Sequence, residues 1–291
     1  MKIPNPTSLS RMIASCAGSL LLLGTQAHPA ILANWRFEDG SYLTDSSGGG
    51  HTLTGTTTPP TQVNPLPGSG NGSDFSNPIP QTGDGNTGLA NYGSSQNGHL
   101  YLSDDGWMDS IAANNTFTVE ALVNRTTDKV AQYILSQYEY PGTGTRSFAF
   151  GVGGSNLRML LSDDGDTFTT FNSTLSLDKN VDYYVAASVD ATDPTGSITF
   201  YLQDLTNGGT LQSQQLSHSL SGIYNPSVNV RVGANSTVTE SRWTGLLDEV
   251  RISDTVLNSS ELLVAIPEPS TMILVLGAGF AILATRKFGR R

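Results

Sequence analysis

From Ile31 onward, apolar and polar positions alternate in short runs. ILANWRFE (31–38), HLYLSDD (99–105), TFTVEALVN (116–124), QYILSQ (132–137), SFAFGVG (147–153), NLRMLLSDD (156–164), VDYYVAASVD (181–190), GSITFYLQD (196–204) and SVNVRVGA (227–234) carry the two-residue period of half-buried strands. Most are bounded by Gly, Asn or Asp. In SDDGDTF (162–168) an Asp-Gly pair stands between two such runs and predicts a hairpin. The one helical signal is LNSSELLVA (257–265), where Ser259 or Ser260 can cap a single turn with Glu261 inside it. Many short strands without intervening helices predict an all-β sandwich occupying residues 28–265.

Between Gly55 and Gly98 the pattern lapses into Gly, Pro, Thr, Asn and Ser. A stretch that lacks apolar residues to bury predicts a long surface excursion of the same domain rather than a second one.

Both ends depart from the pattern. Lys2 and Arg11 precede the apolar run MIASCAGSLLLLG, and TQAHPA follows, the layout of a secretory signal peptide over residues 1–27 with the cut after Ala27. Cys16 lies early in that apolar run, where a lipid-attachment cysteine would follow it, so it is read as part of the leader. At the other end, Met272 to Thr285 is almost wholly apolar and is followed by Arg286, Lys287, Arg290 and Arg291. That run is shorter than the roughly 20 residues that span a bilayer comfortably. Its basic flank would face the cytoplasm and leave the body outside.

Charge and cysteine usage narrow the partners. Residues 28–266 hold 9 Lys and Arg against 24 Asp and Glu, a difference of −15. Such a surface repels phosphate backbones and excludes nucleic acid as a natural partner, while divalent cations and neutral polymers suit it. Cys16 is the only cysteine, so the body without its leader has no internal disulfide.

IPEPST (266–271), the apolar run and the Arg-rich terminus come in the order of the PEP-CTERM sorting signal, which the segment 266–291 resembles. The resemblance implies recognition of Pro267, Glu268 and Pro269 by an exosortase, a membrane-embedded cysteine transpeptidase. It also implies transient anchoring in the inner membrane of a Gram-negative-type bacterium, with the product in the cell envelope or extracellular matrix. An ordinary anchor in which the two prolines merely precede a helix is the alternative.

The body resembles LamG-like, concanavalin A-like jelly rolls. ILANWRFEDGSYLTDSSGGGHTLTG (31–55) is similar to their opening strand and Asp-Ser-Ser-Gly turn, and FTVEALVN (117–124) to their central strand, with Leu122 where Trp is usual. VDYYVAASVD with GSITFYLQD is similar to their central hairpin, and WTGLLDEVRISDTVLNSSEL (243–262) to their closing strand. The resemblance implies a carbohydrate-binding, adhesive or matrix-structural module. It further implies a structural calcium joining the first strand's turn to the last strand, with Glu38, Asp39, Gly40, Asp45 and Asp248 at the matching positions. Oxygen-only ligands from distant segments suit Ca²⁺. Asp248 could instead cap a turn or pair with Arg251.

Catalytic patterns are missing. Glycosidases of this fold flank one bond with two carboxylates about 5 Å apart on one strand face. Glu120 is followed by Ala-Leu-Val, and the adjacent Asp248 and Glu249 of LDEV would point to opposite faces of a regular strand. A glycan-active hydrolase is therefore the alternative and a non-enzymatic module the main reading. There is no Gly-x-Ser-x-Gly and no His-Glu-x-x-His, and His28, His51, His99 and His218 are scattered without ligand spacing. GDGNTG (83–88) matches a dinucleotide fingerprint only by letters, since that motif needs a strand before it and a helix after it and this one sits in the Gly-rich excursion. SDDGW and SDDGD begin like calcium loops but reach Asn115 and Thr174 where a bidentate Glu is required. Trp35 and Trp243 are expected in the core. Trp107, next to an acidic turn, is the expected sugar-stacking residue.

Overall fold

A computed structural model describes residues 31–38, 40–63, 88–93, 98–192, 195–236 and 240–265. The leader with Ala27 and the sorting segment with Pro267, Glu268, Pro269, Arg286, Lys287, Arg290 and Arg291 lie outside the described residues, as does Asp39. No helix among the described residues is long and apolar enough to cross a membrane.

Among those residues the chain forms β1 (Ile31–Trp35), β2 (Thr54–Gly55), β3 (Thr61–Val63), β4 (Leu89–Tyr92) and β5 (Leu100–Leu102), then α1 (Asp109–Asn114). β6 (Thr116–Arg125), β7 (Ala131–Tyr138), β8 (Arg146–Gly153), β9 (Asn156–Leu161) and β10 (Thr169–Ser176) follow. The series closes with β11 (Asp182–Asp190), β12 (Ser197–Asp204), β13 (Gln212–Ser217), β14 (Val230–Val232) and β15 (Gly245–Ser253). One sheet runs β13-β12-β11-β6-β15-β4-β3 with β1 also on β15, and the other runs β10-β9-β8-β7-β14-β5-β2. The strand pairings are antiparallel. The result is the expected two-sheet, all-β sandwich.

Alternation explains the core. On β6, Phe117, Val119, Ala121 and Val123 face inward and meet Phe148, Phe150, Met159 and Leu161 in one buried cluster. Trp35 and Trp243 are fully buried, and each indole N–H donates to a carbonyl, Trp35 to His51 O at 2.7 Å and Trp243 to Leu246 O at 3.2 Å. That is the condition for burying a tryptophan without an orphaned donor.

The opposite face of β6 carries Glu120 and Leu122. Leu122 packs with Tyr184, Tyr201, Leu257, Leu262 and Leu263, so the segment after β15 roofs the outer face of the first sheet. Glu120 is 1% exposed beneath that roof. Its carboxylate accepts from Arg251 Nε at 2.7 Å, from the Tyr184 hydroxyl at 2.5 Å and from the Leu263 amide at 2.8 Å. A buried charge is tolerable only when paired and hydrogen-bonded in this way.

Three expectations change. The stretch from Gly55 to Gly98 is not simply an excursion: β3 and β4 extend the first sheet, and Leu89, Ala90 and Tyr92 are buried. The runs are three and four residues long, too short for a two-residue period to stand out from a Gly-rich background. The helical turn expected at 257–265 is a series of turns capped by Asn258, whose Oδ1 accepts the Ser260 amide at 3.0 Å. The short helix present is α1, ended by Asn115 at φ 55°, a left-handed position that Asn tolerates.

Candidate functional site

The first candidate lies where the turn after β1 meets β15. Pairing of β15 with β6 shifts register between Asp248 and Arg251. Glu249 takes φ 47° there, and the Asp248 carboxylate accepts its amide at 2.8 Å. The expectation of opposite faces was for a regular strand; a bulge breaks strict alternation, and here both carboxylates are buried. Glu249 is 2% exposed and accepts from Arg36 Nε at 3.0 Å, while Arg36 Nη2 reaches Glu38 at 3.1 Å. Asp248 adds a further attraction to the same guanidinium. Burial raises the Glu249 pKa, and Arg36 opposes the rise.

Calcium fits this arrangement poorly. Glu38 and Glu249 are directed at Arg36, and the Glu38 carbonyl accepts the Ser41 amide. Asp45 is consumed by its own turn, accepting from the amides of Asn34, Ser47 and His51 and from the Ser47 hydroxyl at 2.8–3.1 Å. Burial pushes its carboxyl up, but these donors outweigh burial and hold it below the ordinary value. Gly40 adopts φ 77° in the turn. Asp248 caps the bulge, and Arg251 pairs with Glu120 instead. Among the described residues no group of three or more His, Cys, Asp or Glu is placed to hold a metal. The cation that joins the first strand's turn to the last strand is the Arg36 guanidinium.

Trp107 is half-buried at one end of the sandwich. Its ring stacks on His51 at 4.4 Å and 27° and meets Trp35 edge-on at 6.3 Å. The stacked face is therefore covered rather than offered to a sugar. The other two histidines among the described residues stand apart. His218 Nε2 lies 2.6 Å from the Asp190 carbonyl, and its Nδ1 accepts the Leu220 amide at 3.1 Å. His99 is 5% exposed, with Nδ1 unpartnered among the described residues.

The second candidate was not singled out by sequence. β7 and β8 are joined by residues 139–145, and β9 and β10 by residues 162–168. These connections are laced together: the Thr145 amide donates to Gly165 O at 3.0 Å and the Gly144 amide to Asp166 at 2.5 Å. The Tyr224 amide adds a bond to Ser162 O at 2.9 Å. Gly165 sits at φ 80°, and a Cβ there would stand 2.6 Å from the Tyr224 ring, so both conformation and space demand glycine.

At this corner Arg146 stands opposite Tyr138 in the ladder. Its guanidinium carbon lies 5.8 Å from the Tyr138 ring centroid, 5.6 Å from Tyr140 and 5.9 Å from Phe168. These are cation–π distances. Tyr138 is buried, whereas Tyr140 is 52% and Phe168 45% exposed. Two large exposed aromatics beside one arginine form a patch rather than scattered surface residues. Nearby carboxylates are committed elsewhere: Glu139 pairs with Arg231, and Asp163 accepts from Ser221. Asp164 holds its turn through Thr167, Asp166 and Ser162, which keep its carboxyl well below the usual range. The arrangement can stack a ring and hydrogen-bond its substituents.

A family model described as the concanavalin A-like lectin/glucanases superfamily matches residues 94–263. No curated protein sequence matches the chain. Among solved structures, the binding domain of Paraclostridial Mosquitocidal Protein 1 superposes with TM-score 0.55 at 15% identity, covering 81% of this chain and 51% of that one. A structure of botulinum neurotoxin type C, which depends upon interaction with two ganglioside molecules to get into cells, gives 0.51 at 12% identity, with 80% and 50% covered. The binding domain of botulinum neurotoxin DC in complex with SialylT gives 0.50 at 13%, again with 80% and 50% covered. The chain thus spans about half the length of these neighbours, and at such identities the likeness is one of fold.

Two outcomes are expected. Arg36→Ala should cost about 3 kcal/mol in urea unfolding, because it strands the buried Glu249, while added calcium or a chelator should leave the melting temperature of the parent protein unchanged. Burial together with Arg231 and Arg242 depresses the His99 pKa to about 4. The unfolded state, with an ordinary value of about 6.5, then binds a proton that the folded state refuses. Stability should fall as pH drops from about 6.5 to about 4, and His99→Gln should flatten that part of a melting-temperature profile.

Proposed function

The chain belongs to the concanavalin A-like lectin/glucanases superfamily, and from that premise we propose that it is an exported, non-enzymatic module that binds carbohydrate at the cell envelope or in the extracellular matrix. The observation that carries the binding reading is the corner formed by Tyr140, Phe168 and Arg146. Exposed aromatic faces stack on the apolar faces of pyranose rings, and rings already braced against an arginine lose little freedom on binding. The fold neighbours support the reading at the level of architecture: the chain superposes on toxin binding domains, one of them solved in complex with SialylT.

The non-enzymatic part follows from the carboxylates. Glu120, Glu139 and Glu249 are each paired with an arginine, and Asp45, Asp164 and Asp248 each hold backbone amides. Beside the aromatic corner, Glu139 pairs with Arg231, and Asp163, Asp164 and Asp166 accept from Ser221, Thr167 and Gly144, which supports the non-enzymatic reading. Export and attachment rest on the two ends. The leader cut after Ala27 would release the chain across the inner membrane. An exosortase-type enzyme would then act at Pro267–Pro269 while the apolar run and Arg286, Lys287, Arg290 and Arg291 hold the product transiently in the bilayer. Nucleic acid is not a partner of so acidic a body.

On a glycan array the protein should bind a defined subset of polysaccharides. Tyr140→Ala or Phe168→Ala should weaken that binding about fivefold or more, while shifting stability by less than about 0.5 kcal/mol as exposed substitutions do. Binding that survives both substitutions would move the site elsewhere. Separately, replacing Pro267, Glu268 and Pro269 by alanines should leave full-length protein in the membrane fraction on immunoblots. Normal release of that variant would mark the tail as an ordinary anchor.

A further inference from the structure

We propose that the Tyr140–Arg146–Phe168 corner selects acidic sugars, specifically uronate residues whose carboxylate is taken by Arg146 while the ring lies on Tyr140 or Phe168. The inference rests on the carbohydrate-binding reading and names the ligand class of that same corner.

Arg146 differs from most of the other arginines among the described residues. Arg36, Arg125, Arg231 and Arg251 each form an ion pair. Arg146 forms none among the described residues. Its Nε is buried without a hydrogen-bond partner there, and its Nη2 makes one long contact of 3.4 Å to the Gly142 carbonyl, so the Nη edge is the side a carboxylate would meet. A guanidinium left this way beside so many carboxylates is not short of possible partners; those nearby are committed to other groups. Glu139 answers Arg231, Asp166 accepts the Gly144 amide, and Asp163 accepts from Ser221.

Aromatic rings satisfy a guanidinium through its flat faces and leave the N–H groups at its edge available. Tyr138, Tyr140 and Phe168 gather round the Arg146 guanidinium, whose carbon lies 5.6–5.9 Å from their ring centroids, and Tyr138 meets Phe168 at 6.0 Å and 69°. The planar fork of an arginine matches a planar carboxylate through two parallel hydrogen bonds. A uronate carries its carboxylate on the ring that stacks, so one residue can engage ring and fork together. A neutral hexose of the same linkage presents a hydroxymethyl group at that position and loses the charge-assisted bond.

The test is calorimetric titration of the full-length protein with an α-1,4-linked galacturonate pentamer and with the same pentamer after carboxyl reduction. The acid form should bind at least about tenfold more tightly. Arg146→Gln should bring the two ligands to equal affinity, and Tyr140→Ala should weaken both. Arg146→Lys, which keeps charge and stem but lacks the fork, should retain only part of the preference and serves where the Gln variant fails to fold. Equal affinity of the parent protein for the two pentamers would overturn the inference and leave the carbohydrate reading standing. No binding of either pentamer, with no binding on the glycan array, would overturn both.

Discussion

The last strand of this sandwich, β15, has neighbours it cannot serve with a straight ladder. Its first half pairs with β6 and β4, and its second half with β6 and β1. The change of partner occurs at the bulge, where Glu249 adopts a left-handed backbone and two successive carboxylates become buried. Two buried negative charges are costly unless a cation answers them. Arg36 does so from the chain just after β1, 213 residues away in sequence from Glu249. Closing so long a loop costs chain entropy, which many other contacts along β1 and β15 share. The ion pair fixes the register in which those contacts form, since a slip of one residue would leave Glu249 without a partner.

A second buried pair settles which outer surface is free. Glu120 and Arg251 lie on the outer face of the first sheet, and the Leu263 amide completes the carboxylate's shell. Satisfying that charge draws residues 257–263 across the sheet and buries Leu122, Tyr184 and Tyr201. The part of that face over Leu122, Tyr184 and Tyr201 is thereby covered. Chemistry is left to the rims and to the second sheet, whose β7–β8 and β9–β10 connections carry the exposed aromatics.

How much of this could be read from sequence depends on the range of the interaction. The strands of the central hairpins are legible because alternation is local: TFTVEALVN sorts its residues onto two faces without reference to the rest of the chain. The two core tryptophans follow from the same pattern. Leu122 in place of a tryptophan becomes intelligible only when its face is known to lie beneath Leu257, Leu262 and Leu263. The bulge is invisible in LDEV, because φ at Glu249 is set by the exchange of partners along β15. Calcium was what the family resemblance implied at this turn; the Arg36 guanidinium found between Glu38 and Glu249 could not be foreseen, because nothing local distinguishes such an arginine from a surface one. Strand β4 was lost because LANY is four residues in a Gly-rich stretch. The aromatic corner was lost because Tyr140 and Phe168 are brought together by the pairing of β8 with β9, and each alone looks like an ordinary loop residue.

The acidity of the body and an arginine-centred corner are compatible once distance is considered. At physiological ionic strength the screening length is about 8 Å, so most of the body's negative charges act weakly on a ligand at one corner, whereas the Arg146 fork acts at contact distance. The nearest carboxylates are partly cancelled by Arg231 or spread over backbone amides of the two connections. Added salt therefore has two opposing effects on an anionic ligand, weakening its approach to Arg146 and relieving its repulsion by the rest of the surface. An acidic module with one local cation discourages indiscriminate binding of polyanions and reserves attraction for a ligand that can bring an apolar ring face and a planar anion together. That combination of ring and fork, rather than net charge, is what the selectivity proposed for the corner rests on.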